Sequence, residues 1–138
     1  MKNYKRLFED SYIRVTGLDE KSDRFFTKFY KNFLSASPEI REKFKGVDME
    51  NQKKMIKQSM QQMLNLILTR EAGEYMESIA RLHSKKERDI PPYLYDIWLD
   101  SLIDTVKDLD PKYDPDIGLA WKMALSMGIV YMKDMYDR

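Results

Sequence analysis

The chain has no cysteine and a single histidine in 138 residues. The first absence excludes disulfides, thiolate metal sites and thioether-linked prosthetic groups. Together the two exclude zinc sites of the usual His/Cys type and Cys-His catalysis, and Ser-His-Asp catalysis is not expected. Glycine and proline are scarce, five of each, and no glycine-rich phosphate cradle is present. No sign of charge dominates: 24 basic and 23 acidic residues leave a net +1. Electrostatics therefore makes no general claim on nucleic acid or anionic membrane. No apolar run approaches the roughly 20 residues of a membrane span, and the opening MKNYKRLFED lacks the apolar core of a signal peptide. The expectation is a soluble, cytoplasmic protein with no nucleic-acid or membrane partner.

What is present is an apolar fraction of 43%, ordinary for a globule. A chain of 138 residues has the length of one domain and can bury about two-thirds of its surface. Ten methionines and an aromatic content of 12% make an interior of adaptable and flat side chains. Such an interior is either a loosely specified helical core or one built to accept a large, flat, apolar ligand.

The periodicity is helical throughout. Tyr4, Leu7, Phe8, Ser11, Tyr12 and Val15 form one stripe, stopped by Gly17. Asp19 or Ser22 can cap a second helix, whose pairs Phe25/Phe26, Phe29/Tyr30 and Phe33/Leu34 give a broad apolar face. Ser37-Pro38 starts a short helix ending near Phe44. A long helix is expected from about Asp48 to Leu68, and a shorter one from Glu71 to Ser84. Pro91-Pro92 opens a helix to Leu109, and Asp114-Pro115 caps the last. One all-α domain over residues 1–138, of six or seven helices, is the reading.

Several stretches offer chemistry. Residues 108–118, DLDPKYDPDIG, have the look of a calcium loop, but a loop of that type counted from Asp108, Asp110 or Asp114 ends on Leu119, Trp121 or Leu125, none of which chelates. An interhelix turn with an aspartate cap explains them. Glu39 and Glu42 sit among basic residues and read as a solvated face, as does the run Lys85-Lys86-Glu87-Arg88. His83 is different. It shares a stripe with Tyr75, Ile79 and Leu82 near a helix end. An imidazole on an apolar stripe has either a hydrogen-bond partner or a metal. Without thiols or clustered oxygens the fitting metal is one that brings its own ligands and needs one axial donor, as haem iron does.

The order of motifs then carries a resemblance. TKFYKNFLSASPEIREKF (27–44), NQKKMI (51–56), IARLH (79–83) and AWKMALSMG (120–128) resemble, in sequence order, the second and third, distal, proximal and last helices of bacterial single-domain globins and of flavohaemoglobin globin domains. A looser resemblance, through the IPP entry to the fifth helix, is to globin-coupled oxygen sensors. The resemblance implies a globin fold around a non-covalent haem b. It implies His83 as proximal iron ligand, Phe44 stacking on the haem, and Ile56 over it. It implies Tyr30 and Gln52 as distal residues that stabilise bound O₂, and Tyr95 as a contact of the proximal histidine. No catalytic residue is assigned.

The spacing departs from the family in two places. The stretch from His83 to Tyr95 is slightly longer, and that from Phe44 to Gln52 slightly shorter, so Lys53 or Met55 competes with Gln52 for the distal position. Where flavohaemoglobins place a glutamate behind the proximal histidine, Tyr136 and Asp137 stand here. The leading expectation is reversible binding of O₂, with NO and CO as further ligands, in a carrier or sensor. The alternatives are NO dioxygenase or peroxidase chemistry with an external reductase, and a haem-free globin-like signalling module.

Overall fold

A computed structural model describes residues 2–17, 19–69 and 71–138, with side chains other than those of residues 19–22, 64, 65, 67 and 68. Seven helices and no strand occur among the described residues: α1 (Tyr4–Thr16), α2 (Asp19–Ala36), α3 (Pro38–Lys43), α4 (Met49–Thr69), α5 (Glu74–His83), α6 (Tyr93–Leu109) and α7 (Pro115–Asp134). None of them is long and apolar enough to cross a membrane.

The helix ends follow local chemistry. Asn3 accepts from the Arg6 N–H, Ser37 from Glu39 and Asp114 from Ile117, each filling an orphan donor of a first turn. Asp48 does the same for Glu50 and Asn51 ahead of α4. Gly46, at φ 76°, supplies the left-handed residue that turns the chain after α3. The caps expected at Asp19 or Ser22 fall on side chains outside the described ones.

One boundary moves. α5 begins at Glu74, three residues after the Glu71 expected from periodicity. Thr69 Oγ1 accepts from the Glu71 N–H, and Gly73 is extended at φ −76°, ψ 172°. A side chain–backbone bond has replaced the first helical turn.

The core is built by two long pairings, α2 on α6 and α1 on α7. Trp121 is wholly buried at their meeting point. Its indole stands edge-on to Phe8 at 4.8 Å and stacks with Phe25 at 5.9 Å, both favoured aromatic geometries. Its N–H donates to Ser11 Oγ at 2.9 Å, and that hydroxyl donates to Asp110 Oδ2 at 2.6 Å. Arg14 grips the same carboxylate through Nε and Nη2, both at 2.9 Å. The stretch read as a calcium-like turn thus holds an aspartate whose side chain is fully buried and paired across the fold. Burial pushes the Asp110 carboxyl up, but the bonds from Arg14, Ser11 and the Lys112 N–H outweigh it and hold the group below its usual 3.8.

Because the folded value is depressed, Asp110 stabilises the fold above its unfolded pKa, and that contribution is lost as pH falls through the folded one. Asp110→Asn should cost about 2–3 kcal/mol at pH 7. Its thermal midpoint should also fall less steeply than wild type between pH 5 and pH 2, as followed by circular dichroism.

Candidate functional site

An apolar slot opens between α4 and α5 on one side and α2, α3 and α6 on the other, with Met132 of α7 at its back. Its position follows from the helix stripes. α2 sets Phe25 against Trp121 and Phe26 edge-on to Phe25, and farther along presents Tyr30 and Phe33 to the slot. The short α3, fixed by its Ser37 cap, sets Phe44 at its end, where the ring meets Tyr30 and Phe33 edge-on at 5.8 Å each.

His83 closes α5 and faces into this slot. Its Nδ1 lies 2.8 Å from the Ile79 carbonyl oxygen, one turn back on the same helix. A carbonyl only accepts, so Nδ1 carries the proton, and in the neutral ring Nε2 keeps its lone pair. Burial holds the imidazole below the ordinary histidine value, the bond to Ile79 opposing and Arg88 adding to the effect. The hydrogen-bonded ring is thus oriented and neutral, with the Nε2 lone pair not engaged by the Ile79 bond.

All six residues singled out from the sequence line this one slot: Tyr30, Phe44, Gln52, Ile56, His83 and Tyr95. Tyr95 shares the lining with His83, whose ring hydrogen bond goes to the Ile79 carbonyl. Tyr136 bonds Asp89 in the loop after α5, and its carbonyl accepts from Lys85 at 3.0 Å. The end of the chain therefore clasps the loop that follows His83.

Of the three residues weighed on α4, side-chain direction removes one. Lys53 turns away to α2, bonding Asp23 at 2.8 Å and Thr27 at 3.2 Å, with Glu50 at 2.9 Å. Gln52 and Met55 both line the slot. The Tyr30 hydroxyl leans on the Gln52 backbone carbonyl at 3.5 Å, the outer limit of a hydrogen bond. Burial raises its pKa, with Gln52 opposing, and burial alone does the same for Tyr95. Both hydroxyls keep their protons at neutral pH.

Sequence reasoning did not assign the rest of the lining. Met63, Met76 and Met132 contribute thioethers to it, Trp98 an indole from α6, and Lys43 is the one basic residue besides His83 among its described lining residues. The methionine count was the available signal, since it marks an adaptable interior without saying which sulfurs meet. Tyr75, on the His83 stripe, faces α4 instead: its hydroxyl bonds the Met55 carbonyl at 3.3 Å and Ser59 at 3.2 Å.

Residues 27–131 match the globin family. That span includes every lining residue of the slot except Met132. This chain is a globin. Its seven-helix arrangement is the globin fold, and its likeness to a solved bacterial structure runs end to end. A protein from Pseudomonas aeruginosa PAO1, described as structurally highly homologous to a human hemoglobin, shares 31% identity with it. The match has a TM-score of 0.85 and covers 99% of this chain and 100% of that one. No curated protein sequence matches this globin.

Tyr75→Phe should loosen the α4–α5 junction. Losing a partly buried hydroxyl bond costs about 1 kcal/mol, to be read as a drop of a few degrees in thermal midpoint with helix content unchanged.

Proposed function

We propose that this globin, as a single domain over residues 1–138, holds haem b non-covalently in the slot and binds a diatomic gas reversibly. The observation that carries the reading is the His83 imidazole, oriented by Ile79 and offering Nε2 to an apolar slot. The residues present suit the group: one nitrogen donor, a flat lining of aromatic and thioether side chains, and the Lys43 ammonium for an acidic edge. In this reading His83 ligates iron while Phe44 and Ile56 flank the macrocycle. When bound, haem supplies an iron with one coordination position for O₂, NO or CO.

The chain's own residues set the terms. Tyr30 holds a proton at Oη beside Gln52, where a ligand drawing electron density gains a hydrogen bond that a less polar one gains less from. Swinging from the long bond to the Gln52 carbonyl costs little, so the hydroxyl is free to serve an incoming acceptor. Tyr95 shares the slot lining with His83 and narrows the room in which the ring can turn. The acceptor behind His83 is a neutral carbonyl, not a carboxylate. The imidazole therefore stays weakly donating, which favours reversible binding over oxygen activation. A carrier or sensor in the cytoplasm is the role this fits, with an external reductase as partner where the iron must be kept ferrous.

The test is an absorption spectrum of the purified chain as isolated, reduced, and under CO, beside His83→Ala. An intense Soret band that shifts with CO and is lost or altered in the variant is the expected result. If haem-supplemented wild type gives no specific Soret band, the proposal fails.

A further inference from the structure

The α4–α7 crossing contains a contact that bears directly on the slot. Gly128 is buried on α7, one turn before Met132, which lines the slot's back. A Cβ placed on Gly128 would lie 2.8 Å from Met63 Cγ, 3.1 Å from its Sδ and 3.3 Å from its Cε. All three near atoms belong to one side chain, and that side chain is itself part of the slot lining. The thioether of Met63 thus lies along the bare Cα of α7, in space that exists only because residue 128 has no side chain.

We infer that Gly128 determines how deep the slot is, by giving Met63 a resting place outside it. The reasoning is steric. The first of those approaches is closer than real Cβ contacts come, so a methyl at 128 forces Met63 to move. Leu66 on α4 and Leu125 and Ile129 on α7 are buried on the same two helices, and close-packed cores do not yield a side-chain volume. The slot is the open space that Met63 already borders, and methionine has the torsional freedom to turn into it. There it would take up room in the slot that Met76 and Met132 also line, at the expense of an apolar ligand. Gly128 touches no ligand itself; it is a specificity-determining position that acts through Met63. This rests on the slot being the ligand site proposed above.

The experiment compares wild type, Gly128→Ala, Met63→Ala and the double variant as full chains. Each is titrated with hemin and, haem-free, with the apolar fluorophore 8-anilinonaphthalene-1-sulfonate; circular dichroism reports folding. Gly128→Ala is expected to weaken both ligands by about tenfold, an overpacking-sized effect. Met63→Ala, which removes a lining side chain, sets its own reference, and the double variant should bind within about twofold of it. Unchanged binding in Gly128→Ala, or a double variant about tenfold weaker than Met63→Ala, overturns the inference, the latter because the methyl then acts on α7 rather than through Met63. If Gly128→Ala alone fails to fold, the comparison is made between Met63→Ala and the double variant, both of which lack the Cγ that the methyl would meet; a double variant that folds and binds as Met63→Ala does supports the inference, and one that fails to fold or binds about tenfold more weakly overturns it. Wild type that takes up the fluorophore but not hemin refutes the haem reading alone, and leaves the Gly128 comparison to be decided by the fluorophore.

Discussion

The Asp110 carboxylate, held by Arg14 and Ser11 where α6 gives way to the α7 turn, is the contact on which the framework leans. It joins the first helix to the sixth across much of the sequence, and the Trp121 indole stands on the same serine. A buried charge survives in such a place only when its hydrogen-bonding capacity is met. Here it is met by a guanidinium fork, a hydroxyl and a backbone N–H. Breaking any one member strands the others, so the corner tolerates few alternatives and fixes α1, α6 and α7 in one relation.

That rigidity is what lets the other side of the molecule stay open. An apolar slot is a gap in packing, and its walls lack the contacts a closed core would provide. α2 and α6 supply the compensating density, with Phe29 and Phe33 stacked at 5.4 Å and Trp98 set edge-on to Phe29 at 5.9 Å. α4 and α5 are then held as a pair by Tyr75, and α4 is tied to α2 by Lys53. His83 sits at the end of the short α5, so its direction depends on the loop behind it, where backbone bonds from Asp89 to Ser84 and from Ile90 to His83 close a compact turn. Asp89 takes the left-handed conformation, at φ 52°, to make that turn.

Much of this architecture is legible in the chain alone. The stripes of aromatic and methionine residues at helical spacing, the Ser37-Pro38 and Asp114-Pro115 starts, and the lone His83 at a helix end are local features. Local features obey local rules: caps fill orphan donors, and apolar faces seek a core. Tyr30 and His83 lie on apolar stripes whose phase turns them inward. The start of α5 departs from its periodicity because a competing bond from Glu71 to Thr69 displaces the helical turn there.

The sequence by itself determined the class of the fold, the run of its helices and the place of its one imidazole near a helix end, because each follows from spacing within a turn or two. Only the tertiary structure decided which neighbours on a helix face which partner. Gln52 and Lys53 are adjacent, yet Asp23 and Thr27 on α2 draw the lysine away while the glutamine lines the slot. Asp110 reads as a turn residue until Arg14 is brought beside it. Gly128 is one more small residue on α7 until Met63 is laid against it. These relations join residues far apart in the chain, and no periodicity records them; they exist only once the helices have crossed.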